Sequence, residues 1–350
     1  MRWSRILHQG RPVTAIVEDE HLALVEGDPF TGHRRTGERI PLATAEFLPP
    51  VIPPTFYAVG YNYAGHNAQA AARTSAPAGM SRIGTSAAGT SAARASTVGA
   101  SAADTSAARA SAVHMSAAGT SAAAGTSGAY VPAVGTSAAD LSGAYVSAVG
   151  MSATAAPEQP LAGKPAIPTP ERPEVGYRAQ SALIGHGAAV VKPADCTGPF
   201  ECEAELVAVI GRDLRRASRD EAADAVFGWT VGNDVSARTW QRADRTLWRA
   251  KNSDTFKPMG PWIDTAADPL AEGVTTTVTL DGTKVAAFET KAMIFDPYAY
   301  IQEISRYITL RAGDVLWMGT DAMVEMPVGA TLAIDITGLG TLANPVTEEP

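Results

Sequence analysis

The sequence contains little of what marks several large classes of protein. Only two cysteines, Cys196 and Cys202, occur among 350 residues, and neither lies in a metal-binding spacing such as CxxC. So few cysteines exclude a disulfide-rich scaffold, and we interpret both as packing residues. No run approaches the roughly 18 uninterrupted apolar residues of a membrane-spanning helix. Because the first residues, MRWSRILHQGRPV, have no apolar signal region, we expect a cytoplasmic protein.

Positive charge is also scarce. The chain has 28 Lys and Arg against 36 Asp and Glu, which gives a formal net charge of −8 at pH 7. This acidic balance argues against nucleic acid or an anionic membrane surface as a partner. Apolar residues make up 45% and charged residues 18%, as is usual in a soluble globular protein, and 350 residues are enough for a large core.

A middle segment lacks most large side chains. Residues 74–158 consist mainly of Ala, Ser, Gly and Thr, and between Gly84 and Ala156 there is no Phe, Trp, Ile, Lys or Glu. Such a composition buries too little apolar surface to offset the entropy lost on ordering. We predict a disordered or weakly ordered insert here, with a small repeat structure packed on the main body as the alternative.

The remaining sequence is dominated by strand patterns. Residues 1–57 alternate short apolar runs with turns, which predicts a small β-rich N-terminal domain. Residues 58–73 begin a second folded domain, which resumes after the insert and occupies residues 159–350. Strands outnumber helices there, so we predict an α+β fold, mostly β, arranged as a mixed β-roll or barrel rather than a doubly wound α/β sheet.

Local signals mark several elements of this second domain. Ser218 and Glu221 have the spacing of a capping box, which predicts a helix start. Asp281 and Gly282 lie between two β-patterned runs and predict the turn of a hairpin. Asp296 precedes a proline and apolar residues at helical spacing, which predicts a second helix.

Three glutamates occupy alternate positions at the start of a predicted buried strand. Glu201, Glu203 and Glu205 therefore share one face of the strand and would repel one another without a cation between them. Asp234 follows a second predicted strand. Glu203, Glu205 and Asp234 together would form an all-oxygen site, which favours Mg²⁺, Mn²⁺ or Ca²⁺ over zinc. On spacing alone, solvated acids at the ends of strands remain the alternative reading.

Five segments, in this order and spacing, resemble the fumarylacetoacetate hydrolase family. They are GYNYAGH, ECEAELVAVIGR, GWTVGNDVSARTWQ, KNSDTFKPMGPW and LRAGDVLWMGT, and the closing ITGLGTLANPV also fits. The resemblance covers residues 1–69 and 175–349. It implies a catalytic domain of this family in residues 159–350, whose start and lid lie in residues 58–73. The first 50 residues are similar to the small domain of the isomerase and decarboxylase branch.

The resemblance implies a role for each of several residues. A Mg²⁺ or Mn²⁺ ion would bind Glu203, Glu205 and Asp234. Such a cation acts as a Lewis acid on a substrate carbonyl. The implied substrate is a small 2-oxo acid or 1,3-diketo acid, and the implied assembly is a homodimer. The remaining implied roles are catalytic for His66, as general base, and Lys251, as positive charge beside an oxyanion, and substrate-binding for Arg238, Gln241, Thr320 and Tyr63.

Three positions depart from the family pattern. Gln69 stands where many relatives have a glutamate that pairs with the base histidine, so hydrolysis or decarboxylation through that pair is in question. Arg178 replaces a lysine, and the two cations are not equivalent. Asp321 follows Thr320 where the family has a proline, and its charge would disfavour an anionic end of the substrate.

Three functions compete on this evidence. The first is a metal-dependent hydrolase that cleaves a carbon–carbon bond in an acylpyruvate-like or fumarylacetoacetate-like compound. The second keeps the metal and Lys251 but ends at proton transfer or loss of CO₂, as an isomerase, tautomerase or decarboxylase, and Gln69 favours it. The third is a non-catalytic scaffold that uses the insert for interactions, which the intact acidic residues count against.

Overall fold

The computed structural model describes residues 1–75 and 169–350. The predicted insert lies outside these ranges except for its first two residues, and so do residues 159–168. The described residues belong to one compact unit, formed by Met1–Ala76 and Leu161–Pro350. The two parts of the predicted catalytic domain therefore fold into the same unit although the insert separates them in sequence.

Strands predominate in this unit. The strands are β1 (Arg2–His8), β2 (Arg11–Glu18), β3 (His21–Asp28), β4 (Gly32–Pro41), β5 (Glu46–Leu48), β6 (Phe56–Val59), β7 (Val175–Tyr177), β8 (Leu183–Ile184), β9 (Val190–Lys192), β10 (Phe200–Ile210), β11 (Val226–Asn233), β12 (Ser236–Ala237), β13 (Lys257–Asp264), β14 (Thr275–Leu280), β15 (Thr283–Glu289), β16 (Val315–Trp317), β17 (Met323–Glu325), β18 (Thr331–Ile336) and β19 (Gly340–Glu348). The helices are α1 (Ala64–Ser75), α2 (Arg219–Asp224), α3 (Arg238–Gln241), α4 (Trp248–Asn252) and α5 (Pro297–Ser305). Among these described helices, none has the length and apolar character to cross a membrane.

Two sheets contain all these strands. The larger has 14 strands in the order β4-β3-β2-β1-β13-β11-β10-β16-β6-β7, with β5, β8, β12 and β17 attached beside this path. The smaller has five, in the order β15-β14-β18-β19-β9. Both sheets are mixed, since β6 runs parallel to β16 and β9 parallel to β19 while most other pairs are antiparallel. The predicted α+β, mostly β fold with mixed sheets is confirmed. The larger sheet is open in the described part of the chain, with ends at β4 and β7, so it is a roll rather than a barrel.

The N-terminal strands continue the larger sheet. In β1, Arg2 pairs with Asp264 and Trp3 with Ile263 of β13, so the meander β1–β4 extends the sheet that contains β10. Trp3 also packs in the same apolar cluster as Trp317. The predicted β-rich region 1–57 therefore shares a sheet and a core with the residues that follow it.

The local signals of the second domain have the predicted geometry. Ser218 and Glu221 form both hydrogen bonds of a capping box at the start of α2. Asp281 and Gly282 both have positive φ, at 47° and 78°, and connect β14 to β15 as a tight hairpin turn requires. Asp296 accepts a hydrogen bond from the Ala299 amide and begins α5.

Strand β10 crosses the centre of the fold, and each of its residues is buried. Its even-numbered side chains, including Cys202, lie in the main core. Cys202 and Cys196 are both buried and unbridged, as expected for packing residues. The opposite face carries Val207 and Val209, which pack in a second apolar cluster. Because side chains alternate, that second face continues towards the N-terminal end of β10 as the three glutamates.

Candidate metal and catalytic site

The register of β10 against β11 places the acidic residues beside one another. Ala204 lies opposite Asn233, the last residue of β11. The next residue, Asp234, donates its amide to the Glu203 carbonyl oxygen at 2.9 Å. The strand pair therefore brings Asp234 to Glu203 and Glu205, although about 30 residues separate them in sequence.

Glu203, Glu205 and Asp234 form a group of oxygen donors that fits a hard divalent cation. One carboxylate oxygen of each lies within 4.8 Å of the others, and all three side chains are buried. Glu205 Oε2 accepts a hydrogen bond from the Gly319 amide at 2.7 Å, whereas its Oε1 is buried and has no hydrogen-bond partner among the described residues. An unsatisfied buried carboxylate oxygen is costly without a cation. The donor set and this oxygen fit Mg²⁺, Mn²⁺ or Ca²⁺.

Buried cations surround Asp234. The Lys251 amine donates to Asp234 Oδ2 at 3.0 Å and to Glu203 Oε2 at 2.6 Å, so it joins two of the three acids. The Arg178 guanidinium donates to both Asp234 oxygens, at 3.1 and 2.8 Å. Lys257 Nζ lies 2.6 Å from Asp234 Oδ1. With Arg238, which is described next, four basic side chains from different parts of the fold contact these acids.

Arg238 holds the remaining glutamate. Its Nε donates to Glu201 Oε2 at 2.6 Å and its Nη2 to Glu203 Oε1 at 2.5 Å. Its Nη1 donates to Gln241 Oε1 at 2.9 Å, which fixes that amide. Glu201 is only 3% exposed, so it is not a solvated surface acid. The ion pairs of Arg238 run to Glu201 and Glu203, and those of Asp234 run to Arg178, Lys251 and Lys257.

The pKa values of two of the three acids are lowered, and that of the third is raised. Burial alone would raise the pKa of Glu203, but the charges of Lys251 and Arg238 outweigh it and lower that pKa. Burial likewise opposes ionisation of Asp234, and Arg178, Lys251 and Lys257 together hold its pKa well below the usual range. Burial raises the pKa of Glu205, and the nearby Asp234 and Glu203 raise it further. Glu205 is the acid with the least compensation from the protein.

Lys257 is a site residue that the sequence did not single out. It is fully buried at the start of β13, and its amine also donates to the carbonyls of Phe256 at 2.8 Å and Val235 at 3.2 Å. Burial lowers the pKa of Lys257 to about 7, although Asp234 acts in the opposite direction. The signal that could have identified it is a lysine at the start of the otherwise apolar run KPMGPWI. A lysine is seldom fully buried without a charged partner.

His66 lies on α1, close enough to the acidic centre to interact with its charges. Burial lowers the pKa of His66; Glu203 and Asp321 act to raise it, and Lys251 and Arg238 to lower it. Its Nδ1 is buried without a hydrogen-bond partner in the described ranges. The Gln69 amide donates to the Asp321 main-chain carbonyl at 3.2 Å, so Gln69 does not hold the imidazole as the missing glutamate would.

The other two predicted substrate contacts have local partners. The Thr320 hydroxyl donates to the Ala322 carbonyl at 3.0 Å and accepts from its amide at 3.3 Å. The Tyr63 hydroxyl donates to the Thr290 carbonyl at 2.6 Å, and its ring packs on Phe288. Tyr63 is 1% exposed, so its position is that of a packing residue.

Comparison with known families agrees with this geometry. The family described as fumarylacetoacetate (FAA) hydrolase, C-terminal, matches residues 146–347, and the family described as Rv2993c-like, N-terminal, matches residues 1–50. The first match alone spans more than half of the chain. The predicted resemblance to the family is confirmed, and so is the prediction that the first 50 residues resemble a small N-terminal domain known from members of this family.

Related proteins carry names of several activities. Protein Rv2993c of Mycobacterium tuberculosis is 38% identical over 192 residues, which are 54% of this chain and 70% of that protein. The 2,4-didehydro-3-deoxy-L-rhamnonate hydrolase of a Sphingomonas species is 34% identical over 52% of this chain and 67% of its own. Oxaloacetate tautomerase YisK of Bacillus subtilis is 32% identical over 51% of this chain and 62% of its own.

Solved structures share the fold over their full length. The 5-carboxymethyl-2-hydroxymuconate delta-isomerase of Mycobacterium smegmatis has a TM-score of 0.66 and 25% identity, covering 100% of both chains. Maleylpyruvate hydrolase of Sphingobium sp. SYK-6, in complex with manganese (II) ion and pyruvate, has a TM-score of 0.60 over 100% of both chains. At 18% identity the second likeness concerns the fold alone. Named relatives thus include hydrolases, an isomerase and a tautomerase.

Proposed function

Because the chain belongs to the fumarylacetoacetate hydrolase family, we propose that it is a divalent-metal-dependent hydrolase. Its substrate is a small acylpyruvate-like or fumarylacetoacetate-like diketo acid, which it cleaves at a carbon–carbon bond. One observation carries the proposal: the buried acids Glu203, Glu205 and Asp234 lie together, and the Lys251 amine contacts two of them. In a purely structural cluster, the buried Glu205 oxygen, which has no hydrogen-bond partner in the described part of the chain, would only cost stability, whereas a bound cation would satisfy it.

The proposed ion is Mg²⁺ or Mn²⁺, with Ca²⁺ as a further oxygen-binding candidate, held by Glu203, Glu205 and Asp234. When bound, such an ion supplies Lewis acidity to a substrate oxygen. The residues around it supply binding and charge. Lys251 holds a positive charge beside Glu203 and Asp234, where negative charge would develop on the substrate.

His66 is the proposed general base. Because burial lowers its pKa, the imidazole is neutral at pH 7 and accepts a proton from water. In hydrolysis of an acylpyruvate, the water oxygen bonds to the acyl carbon and the bond from that carbon to the central CH₂ breaks. The electron pair leaves with the central carbon as an enolate, which is then protonated. Every atom and electron of this step comes from the substrate and one water molecule.

Arg238, Gln241 and Thr320 are the proposed substrate-orienting residues. Arg238 already fixes the Gln241 carbonyl oxygen, which leaves the amide NH₂ of Gln241 as the donor offered to a substrate oxygen. Thr320 is held by Ala322, so its hydroxyl would exchange that bond for one to the substrate carboxylate. Tyr63 is not retained in this role, because its hydroxyl and ring are both used in packing.

The test is an ultraviolet assay of small 2,4-diketo acids and oxaloacetate with Mg²⁺, with Mn²⁺ and with excess chelator, the products being identified by mass. Cleavage into two acids only when metal is present supports the hydrolase. The Glu205→Gln variant removes the least compensated ligand and is expected to abolish turnover, whereas Glu289→Gln, at an exposed end of β15, is the matched control. Turnover that persists in chelator, or in Glu205→Gln, would overturn the proposal.

The second candidate is an isomerase, tautomerase or decarboxylase at the same metal site. The specific observation in its favour is the Gln69 amide, which binds the Asp321 carbonyl and leaves His66 Nδ1 without a carboxylate partner. A lone neutral imidazole suffices to move a proton between carbon and solvent. A shifted spectrum at unchanged mass would indicate a tautomerase or isomerase, and loss of CO₂ a decarboxylase. The homodimer stays a prediction, which light scattering would check.

A further inference from the structure

Asp321 contacts the helix that carries His66. Its Oδ1 accepts hydrogen bonds from the amides of Gly65 at 2.7 Å and His66 at 3.3 Å. These are the second and third residues of α1, and their amides have no acceptor within a helix that begins at Ala64. An N-cap side chain usually satisfies such amides from the residue just before the helix, and the Asp321 carboxylate satisfies them from another segment. Its negative charge is also favourable at the N-terminus of a helix. Asp321 therefore caps α1 from a segment more than 250 residues away.

The segment around Asp321 is tied to the acidic site as well. Two residues earlier, the Gly319 amide donates to Glu205 Oε2 at 2.7 Å. The Gln69 amide, one turn further along α1, donates to the Asp321 carbonyl at 3.2 Å. Residues 319–321 thus bind a candidate metal ligand at one end and two turns of α1 at the other. Three consecutive residues therefore connect the helix to the acids.

The absence of a side chain at Gly65 allows this contact. A Cβ at position 65 would lie 2.5 Å from Asp321 Oδ1 and 2.8 Å from its Cγ. Both distances are shorter than ordinary Cβ contacts, so any side chain at position 65 would force the Asp321 carboxylate to move away from the first turn. Glycine within a helix otherwise costs stability relative to alanine. The glycine at this position is explained by the close approach of Asp321.

We propose that Asp321 is a positioning residue, which anchors the first turn of α1 and so holds His66 at the acidic site. The proposal rests on the proposed function, since it takes His66 to be the base. Asp321 does not touch the reacting atoms, and its effect passes through the backbone of Gly65 and His66. Among the described residues, the hydrogen bonds accepted by Asp321 Oδ1 and the one donated by the Gln69 amide all join α1 to the same residue, Asp321.

The experiment combines backbone amide exchange of residues 64–70, followed by NMR, with steady-state kinetics in saturating Mn²⁺. Asp321→Ala is expected to speed exchange at Gly65 and His66 and to lower kcat about 10- to 100-fold, with a smaller change in KM. Asp321→Asn keeps an oxygen acceptor of the same shape and is expected to restore both the slow exchange and most of kcat. Ser218→Ala, which removes the cap of α2, is the matched control with kcat unchanged.

Gly65→Ala tests the same contact from the other side. Helix propensity alone predicts that it stabilises α1, whereas the close approach predicts faster exchange and a kcat loss similar to that of Asp321→Ala. Added to Asp321→Ala, it should cause no further loss, because the clash has gone. Unchanged exchange in Asp321→Ala, or faster exchange with wild-type kcat, would overturn the anchor. Exchange reports on the anchor even if wild-type protein turns over none of the substrates, an outcome that would overturn the proposed function instead.

Discussion

Two regions of this protein are built from the same pairs of glutamate and arginine. On the N-terminal meander, Arg34 pairs with Glu26 across β3 and β4, and Arg39 pairs with Glu18. On β10, Arg238 pairs with Glu201 and Glu203. The Arg34 and Glu26 side chains are 72% and 64% exposed, whereas those of Arg238 and Glu203 are 14% and 7% exposed. The two regions use the same charged side chains, but those of the meander are exposed to solvent and those of β10 are buried.

The difference in burial decides what each group of charges contributes. Water and salt screen the exposed pairs, which add little stability and do not depend strongly on geometry. The buried charges are strongly coupled, so loss of one partner leaves another without compensation. The same coupling shifts the pKa values of Glu203, Glu205 and Asp234, as at sites that do chemistry. Substitutions at four positions and one pH profile measure how far this contrast extends.

Lys251→Met should have the largest effect. It removes the cation that joins Glu203 and Asp234, and we expect turnover to fall about 10²- to 10³-fold, because a preorganised charge at the oxyanion is lost. Unfolding free energy should also fall, by about 3–5 kcal/mol. Steady-state kinetics and urea unfolding measure the two effects. Lys284→Met, on the exposed face of β15, is the control; equal effects in the two variants would contradict the prediction.

Arg238→Met should cost about 3–5 kcal/mol in unfolding free energy, because Glu201 and Glu203 both lose their guanidinium partner. Arg238→Lys keeps the charge but cannot contact Glu201, Glu203 and Gln241 at once, so it should fall between the wild type and Arg238→Met. Urea unfolding at neutral pH measures both variants. A cost below 1 kcal/mol for Arg238→Met would mean that this cluster behaves like the surface pairs.

His66→Asn should lower kcat by about 10²- to 10⁴-fold with little change in stability near neutral pH, since it removes a base but no ion pair. Kinetics on the substrate found in the assay provide the measurement, and His33→Asn, on the exposed strand β4, is the control. Full activity in His66→Asn would exclude His66 as the base.

The pH dependence of the wild type follows from the direction of the His66 shift. Burial lowers the folded-state pKa below the ordinary 6.5, so kcat/KM should rise with pH and its inflection should lie below 6.5. Between the two pKa values the unfolded chain binds more protons, so the His66 contribution to stability is lost as pH falls below 6.5. His66→Asn should remove that part of the acid dependence. An inflection above 6.5 would contradict the shift.

Arg34→Gln should have the smallest effect, about 0–1 kcal/mol in unfolding free energy. A double-mutant cycle with Glu26→Gln isolates the pair, and the coupling should diminish in high salt. A larger, salt-insensitive coupling would show that exposure does not separate the two regions.

The local elements followed from short stretches of sequence. The capping box at Ser218, the hairpin turn at Asp281 and the N-cap at Asp296 all depend on interactions within a few residues, so their patterns sufficed. The alternation of Glu201, Glu203 and Glu205 predicted a shared face for the same reason. Those three acids were expected at the start of a buried strand, and they lie there.

The sequence by itself determined the strands, the caps and the face shared by Glu201, Glu203 and Glu205, because each depends on periodicity or on neighbours along the chain. Only the tertiary structure brought Asp234 to these acids and decided which cation compensates which acid. It paired Glu201 with Arg238, buried Lys257 against Asp234 and placed Asp321 on the first turn of α1. These contacts join segments that are 37, 23 and 256 residues apart. They depend on sheet register and loop paths, which no local pattern specifies.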